Sequence, residues 1–368
     1  MKLHLISFDV PYPADYGGVI DIYYKIKALH EEGVKITLHT FEYGRPKAKE
    51  LEQLCEKVFY YKRKHSFVAI FNQLPYIVVT RQSKELFQNL LADNSPILFE
   101  GLHSCYYLSH EKLKDRTKLV RTHNIEHSYY SGLATAEKNI FKKLYFNSEA
   151  RKLEKFEKQL SHANHILAIS GQDAKELSAH YKNVTNVMAF HPNNSVHTEE
   201  GKGEFALYHG NLAVSENDKA ALYLVNTIFN DISIPFIIAG NKPSKELQEA
   251  VKKYSHIQLK SNIPTNEIDT LVKSAQVNVL PTFQPTGLKL KLLNALFNGK
   301  HCVVNTAMVA NTGLEILCSI SDTDAGMKNA VKKLFKIPFD KAEIEKRKQI
   351  LEDRFSNKVN AKKITRLL

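Results

Sequence analysis

Cysteine is scarce in this chain of 368 residues: Cys55, Cys105, Cys302 and Cys318 stand far apart and form no C-x-x-C pair. That scatter excludes a disulfide framework and a thiolate zinc site, and leaves four reduced, buried thiols as the expectation. Long apolar runs are also missing. The N-terminal run stops at Asp9, too soon for the core of a signal peptide. Residues 67–79 are broken by Asn72, Gln73 and Pro75 and fall short of a bilayer. Neither secretion nor a transmembrane anchor is expected, and the reading is cytoplasmic, with peripheral attachment at the inner face of the membrane as its extension. There is no repeat of solenoid period and no low-complexity tract. Acidic residues are in deficit, 39 against 51 Lys plus Arg, a formal net charge of +12. Such a bias favours anionic partners, whether nucleotide phosphates, phospholipid head groups or nucleic acid, without choosing among them.

What is present is an ordinary globular composition, 43% hydrophobic and 24% charged. The length suits two domains. Short apolar runs alternate with amphipathic segments. Strands are expected at residues 3–8, 34–41, 57–61, 97–100, 118–121, 165–169 and 184–189, with helices at 19–32, 138–160 and 172–181 among the segments between them. A polar stretch at 191–204 reads as a linker. The pattern then restarts, with strands at 206–209, 235–239, 257–259, 277–280 and 301–305 and helices at 219–229, 244–254, 266–274 and 288–298. Continuous apolar strands joined by helices predict parallel sheets covered on both faces. The expected division is 1–190, 191–340 and a charged helical tail, 341–368, that packs back across either half.

Three segments could carry chemistry. Pro11-Tyr12-Pro13-Ala14-Asp15-Tyr16-Gly17-Gly18 joins the first strand to the first helix, where paired glycines and a helix N-terminus suit a phosphate; a simple glycine turn is the plainer reading. Arg121-Thr122-His123-Asn124-Ile125-Glu126-His127 ends a strand in a dense polar cluster. Its His123-x-x-Glu126-His127 string also matches a zinc peptidase pattern, which requires both histidines on one helical face. Histidines that only hydrogen-bond around a helix start are the bland alternative. The third segment runs from Pro281 to Gly299 through Thr286-Gly287-Leu288-Lys289-Leu290-Lys291. Lysines in the first turn of a helix oppose its dipole, so Lys289 and Lys291 make better sense beside a phosphate than as solvated surface groups.

Together these segments resemble the GT-B glycosyltransferases, in particular the large retaining family 4. The likeness spans nearly the whole chain: Gly17-Gly18, Arg121-Thr122-His123-Asn124, Ile169-Ser170-Gly171-Gln172-Asp173, Gly210-Asn211-Leu212, Ile238-Ala239-Gly240 and the block from Thr286 to Gly299. The resemblance implies two Rossmann-like α/β/α domains facing an interdomain cleft. It implies that Gly17, Gly18, Thr286, Gly287, Leu288, Lys289 and Lys291 hold the donor diphosphate, that Gly210 and Asn211 also belong to the donor site, and that Asn262 and Ile263 lie by the base. His123 matches the histidine associated with the reacting sugar. The family's E-x7-E glutamates fall at Thr286 and Asn294, neither acidic; Asn294 keeps an amide for a ribose hydroxyl.

The expected function is transfer of a sugar, a hexose by family habit, from a uridine or guanosine diphosphate donor to a glycan or lipid-linked acceptor. Retention at the anomeric carbon is expected, without a metal or other cofactor. Glu100, His103, Arg121, Asn124 and Glu126 would line the acceptor side. An anionic membrane surface is a further partner on this reading; nucleic acid is not. Three alternatives stay open: the zinc metallopeptidase, a non-catalytic nucleotide-sugar or glycan binder, and a sugar-nucleotide epimerase.

Overall fold

A computed structural model describes residues 1–283, 290–310 and 312–368. The chain forms two units, one of Met1–Pro192 with Phe355–Leu368, the other of Asn193–Arg354.

The first unit is built on seven parallel strands: β1 (Lys2–Ser7), β2 (Lys35–Glu42), β3 (Lys57–Lys62), β4 (Ile97–Glu100), β5 (Lys118–Thr122), β6 (His165–Ala168) and β7 (Val184–Asn186). Their order is β3-β2-β1-β4-β5-β6-β7. Successive side chains of a strand face opposite ways, and β1 uses this fully. Leu3 and Leu5 join a core with Leu38, Leu98 and Leu119 under the helix Gly17–Glu31, whose Ile22, Ile26 and Leu29 recur at helical spacing. Ile6 points into the opposite core with Phe99, Val120, Ile166, Leu153 and Phe156. Each such large apolar side chain, once buried, contributes about 1.5–3 kcal/mol.

The second unit has six parallel strands: β8 (Ala206–His209), β9 (Phe236–Gly240), β10 (Ile257–Ser261), β11 (Val277–Val279), β12 (His301–Val304) and β13 (Ser319–Ile320), ordered β10-β9-β8-β11-β12-β13. Side-chain caps start several helices in both units; Ser170, Ser244 and Thr323 accept from Asp173, Leu247 and Gly326 backbone N–H groups respectively.

Every strand expected from sequence is present, and β13 is an addition too short to leave an apolar pattern. The strand expected at 184–189 ends at Asn186. The helix expected at 138–160 runs Ile140–Glu157 and closes in a 3-10 turn. Helices Lys49–Leu54, Lys84–Leu90 and Asp324–Leu334 had not been anticipated.

The charged tail is not one element. Helix Lys341–Arg354 is held in the second unit by Arg347, fully buried, which donates to the carbonyls of Leu296, Gly299 and Lys300 and stacks on Phe339. Helix Asn357–Thr365 belongs to the first unit, where Ala361 and Ile364 enter the core beside the helix Gly17–Glu31. Asn357 exchanges hydrogen bonds with the His191 backbone (3.2 and 2.7 Å), and Asn360 accepts from the Met188 N–H.

Candidate active site

In each sheet the strand order reverses once, between β1 and β4 in the first unit and between β8 and β11 in the second. Open parallel sheets bind ligands outside the carboxyl ends of the strands at such a reversal. Gly17, Gly18, Glu100, His103 and His123 end or follow strands at or next to the first reversal, and Gly210 and Asn211 follow β8 at the second.

In the first unit, β4 ends in Glu100 and His123 follows β5. Glu100 is fully buried and accepts from Lys25 Nζ through both oxygens at 2.8 Å. Its Oε2 also lies 3.0 Å from His123 Nε2. Lys25, itself fully buried, donates to Asp21 at 2.8 Å, and Asp21 accepts from Arg121 at 3.0 and 3.3 Å and from the Phe190 N–H at 2.8 Å. Two carboxylates therefore face two cations, the condition under which buried charge is tolerable. Burial by itself would push the Asp21 carboxyl up, but the Arg121 guanidinium and Lys25 ammonium outweigh it and hold it well below the usual carboxylate range. Glu100 is also lowered, burial being overcome by Lys25 and the His123 hydrogen bond.

Around His123 the walls are tight. The Phe8 ring contacts His103 and His123 (centroids 5.0 and 5.4 Å). Gly101 has φ +67°, and a Cβ there would lie 2.9 Å from His103 Nδ1. Burial, then Arg81 and His123, push His103 well below its ordinary value, and its Nδ1 has no hydrogen-bond partner among the described residues. Arg81 donates to the Phe8 carbonyl at 2.7 Å. Glu126 is 3% exposed; burial and the neighbouring Glu157 raise its carboxyl to about 8 against the pull of Arg81. Asn124 is half-buried beside His123.

Gly17 and Gly18 are the first two residues of the helix Gly17–Glu31. The simple glycine-turn reading does not hold, because neither has positive φ. Gly18 is closely packed: a Cβ there would come within 2.7 Å of Phe8 Cζ and displace the ring, whereas Gly17 has open space.

The acceptor-side expectations for Arg121, Glu100 and Glu126 are corrected. Arg121 does not line an acceptor surface; it is fully buried, with its donors on Asp21 and on the Val187 and Met188 carbonyls. Glu100 and Glu126 are likewise buried, and Glu100 reaches outward only through His123. The zinc-helix geometry does not form either. The helix begins at Glu126, so His123 lies in the preceding loop against Glu100, while His127 Nδ1 is 2.6 Å from Glu157. Asp21, Glu100 and His123 do bring ligand-type atoms within 4.8 Å of one another, but the Lys25 ammonium already holds both carboxylates.

In the second unit, β8 ends in Tyr208 and His209. Lys291, in the first turn of the helix Leu290–Asn298, donates to Asn217 Oδ1 at 2.9 Å and to the Tyr208 hydroxyl at 3.3 Å, with its ammonium 5.0 Å from the Tyr208 ring centroid. His209 is buried, and burial together with Lys291 lowers it to about 3; its Nε2 finds no partner among the described residues. Gly210 donates to the Ala239 carbonyl, and Asn211 accepts from Asn217 through its backbone. Gly240 must lack a side chain, since a Cβ would sit 2.0 Å from the Gly210 carbonyl oxygen. Thr282, fully buried after β11, is fixed by Asn305 on both its backbone N–H and carbonyl and by Glu216 through its hydroxyl. Thr286, Gly287, Leu288 and Lys289 lie outside the described residues. Asn294 donates to Asp269 at 3.3 Å and accepts from Asn298 at 2.8 Å, so both ends of its amide are engaged. Asn262 and Ile263 follow the edge strand β10, Asn262 at φ +57° with its Oδ1 accepting from the Lys242 N–H.

Residues 204–336 match the family model described as Glycosyl transferases group 1. The chain carries a group 1 glycosyl transferase domain. A curated relative, an uncharacterized 44.6 kDa protein in the cps region of Klebsiella pneumoniae, is 26% identical over 335 residues, 85% of this chain and 84% of the relative. Among solved structures, TarM superposes with a TM-score of 0.70 at 10% identity, covering 100% of this chain and 98% of TarM. A variant of S. aureus TarM in complex with fondaparinux, α-GlcNAc-glycerol and UDP gives 0.66 at 9% identity, covering 100% and 99%. A UDP-glucosyltransferase from Polygonum tinctorium gives 0.59 at 9% identity, covering 100% and 98%. The architecture is that of the GT-B glycosyltransferases, two parallel-sheet α/β domains, and the chain is a glycosyltransferase.

Asp21, Lys25, Arg81, Asn217 and His209 were not singled out from sequence. One signal was available: Asp21 and Lys25 interrupt the apolar stripe of their helix four residues apart, and charges on a buried stripe need partners.

Proposed function

We propose that this glycosyltransferase moves a sugar from a nucleoside diphosphate donor to a glycan or lipid-linked acceptor, with retention at the anomeric carbon and without a metal. The observation that carries the reading is Lys291, oriented by Asn217 and Tyr208 beside the β8–β11 reversal of the group 1 domain. Negative charge accumulates on the departing diphosphate, and a preoriented ammonium stabilises it at no reorganisation cost. In this reading Lys289 and the backbone of Thr286, Gly287 and Leu288 assist Lys291, and in the first unit Gly17 and Gly18 begin a helix whose N-terminus suits an anion. His123, oriented by Glu100, binds the reacting sugar, while His103 and Asn124 face the acceptor. The UDP in the TarM complex and the cps region of the Klebsiella relative support a nucleotide-sugar donor and a polysaccharide pathway.

The test is a thermal-shift panel of nucleoside diphosphates. A true ligand at a hundredfold its Kd stabilises by about 2.7 kcal/mol, and Lys291→Ala should lose most of that shift while melting as the parent does without ligand. An unchanged shift in the variant would remove Lys291 from the donor site. Binding with no turnover over a broad donor and acceptor screen would instead favour a non-catalytic binder, the alternative raised by Thr286 and Asn294 standing at the two glutamate positions.

A further inference from the structure

Two neighbouring elements of the first unit carry large apolar side chains outward. In the 3-10 turn Phe67–Phe71, Phe67, Val68 and Phe71 are 76%, 74% and 76% exposed. At the start of the helix Ile140–Glu157, Ile140, Phe141 and Leu144 are 61%, 78% and 59% exposed. These values are those of side chains that folding has left in water. The two elements are tied together a short way along the helix. Lys152 donates to the Ile70 carbonyl at 2.6 Å, and Glu149 accepts from Lys152 and from the Tyr76 N–H. Apolar groups gathered in this way mark an interaction surface, where scattered ones would need no explanation.

Charge says what the surface takes. No acidic residue occurs from Lys57 to Lys84, a stretch with six basic ones, nor from Lys138 to Ser148, which has three lysines. Lys142 and Lys143 occupy the first turn of their helix, where the dipole favours anions and opposes cations. An external anion offsets that placement. A second copy of this chain fits poorly, because a symmetric contact through this face would set lysines against their own counterparts. Single-stranded nucleic acid would use the phenylalanines for stacking but has no use for Val68, Ile140 and Leu144. Mixed aromatic and aliphatic tips in a basic field match the boundary between lipid head groups and acyl chains.

We propose that this face docks the protein reversibly on an anionic lipid surface. Phe67, Phe71 and Phe141 enter the acyl boundary, and Lys62, Lys64, Lys142 and Lys143 meet the head-group phosphates. Docking does not depend on the sugar-transfer reading.

The experiment is co-sedimentation of the full chain with vesicles of phosphatidylcholine alone or mixed with phosphatidylglycerol, with no donor or acceptor present, so a failure here is separate from a failure of catalysis. Binding is expected on the mixed vesicles and should weaken by at least about tenfold on the neutral ones, because the basic residues lose their anionic partners. K142E/K143E and F71S/F141S should each lose about tenfold or more on the mixed vesicles, with circular dichroism and melting unchanged because all four side chains are exposed. Equal binding to both vesicle types, or wild-type binding by both variants, would overturn the proposal. So would a dimer in solution that F71S/F141S dissociates, or tight binding of a single-stranded oligonucleotide that the same variant abolishes.

Discussion

Glu126 offers the sharpest test of the electrostatics beside His123. Its carboxyl is buried at a helix start and raised from an ordinary 4.5 to about 8. In the unfolded chain it ionises from pH 4.5 upward, while in the folded protein it keeps its proton until pH 8. Its contribution to stability is therefore fully present below pH 4.5 and is lost as pH rises through 8, a penalty of at most ~5 kcal/mol. Glu126→Gln has nearly the same shape as the protonated acid and does not titrate. A buried amide with an unmatched donor costs about 1–3 kcal/mol, but that offset does not vary with pH. The informative quantity is consequently a slope: the stability of the variant minus that of the parent should climb by up to ~1.4 kcal/mol per pH unit between pH 5.5 and 7.5. Urea unfolding followed by far-ultraviolet circular dichroism at half-unit intervals reads it directly, and the chain has no tryptophan to serve as a fluorescent probe. A difference that stays flat across that window would mean that Glu126 is ionised in the folded protein. The case for a protonated acid beside Arg81 would then be gone.

Two further substitutions probe the same neighbourhood. Lys25→Met removes the cation that touches both Asp21 and Glu100 and should destabilise by about 3–5 kcal/mol; a loss below about 1 kcal/mol would mean that Arg121 alone suffices. Because Asp21 and Glu100 are held below their ordinary values, their stabilisation is present above about pH 4 and fades as pH falls. The acid limb of the melting profile should accordingly flatten in Lys25→Met. Gly17→Ala should melt within about 1 kcal/mol of the parent, having open space. Gly18→Ala presses on Phe8 and through it on His103 and His123, so kcat should fall further in Gly18→Ala than in Gly17→Ala. Equal turnover in the two would detach Phe8 from the site.

The sheets were legible because parallel strands covered on both sides read as unbroken apolar runs; Ile97 to Phe99 and Phe236 to Ala239 are examples. β13 was not, since two residues leave no period. The tail was read as a single helix because its surface is charged throughout, and Arg347, the residue that fixes one half, is of a type usually found outside. The same limit explains Arg121. Sequence shows a basic residue at a strand end, but not that its guanidinium is consumed by Asp21 and two carbonyls within the first unit. His123 was found because it follows the strand, in the place where open sheets leave polar groups accessible. Glu100 was named as well, but Asp21 and Lys25 behind it were missed because they come from another helix, joined to the strand only by folding.

That joining has a consequence for how the first unit works as a device. The helix that begins with Gly17 and Gly18 carries Asp21 and Lys25 one and two turns later, and Lys25 shares Glu100 with His123. A single rigid element thus sets both the glycine-lined helix start and, through one carboxylate, the orientation of the imidazole. Asp21 also accepts from the Phe190 N–H, and Arg121 from the same cluster grips Val187 and Met188, so the segment leaving β7 is clamped to that helix as well. A charged core of this kind is a poor source of stability compared with apolar packing of equal volume. Its value lies in geometry, because each carboxylate oxygen has a fixed partner and the imidazole cannot turn without breaking one of them.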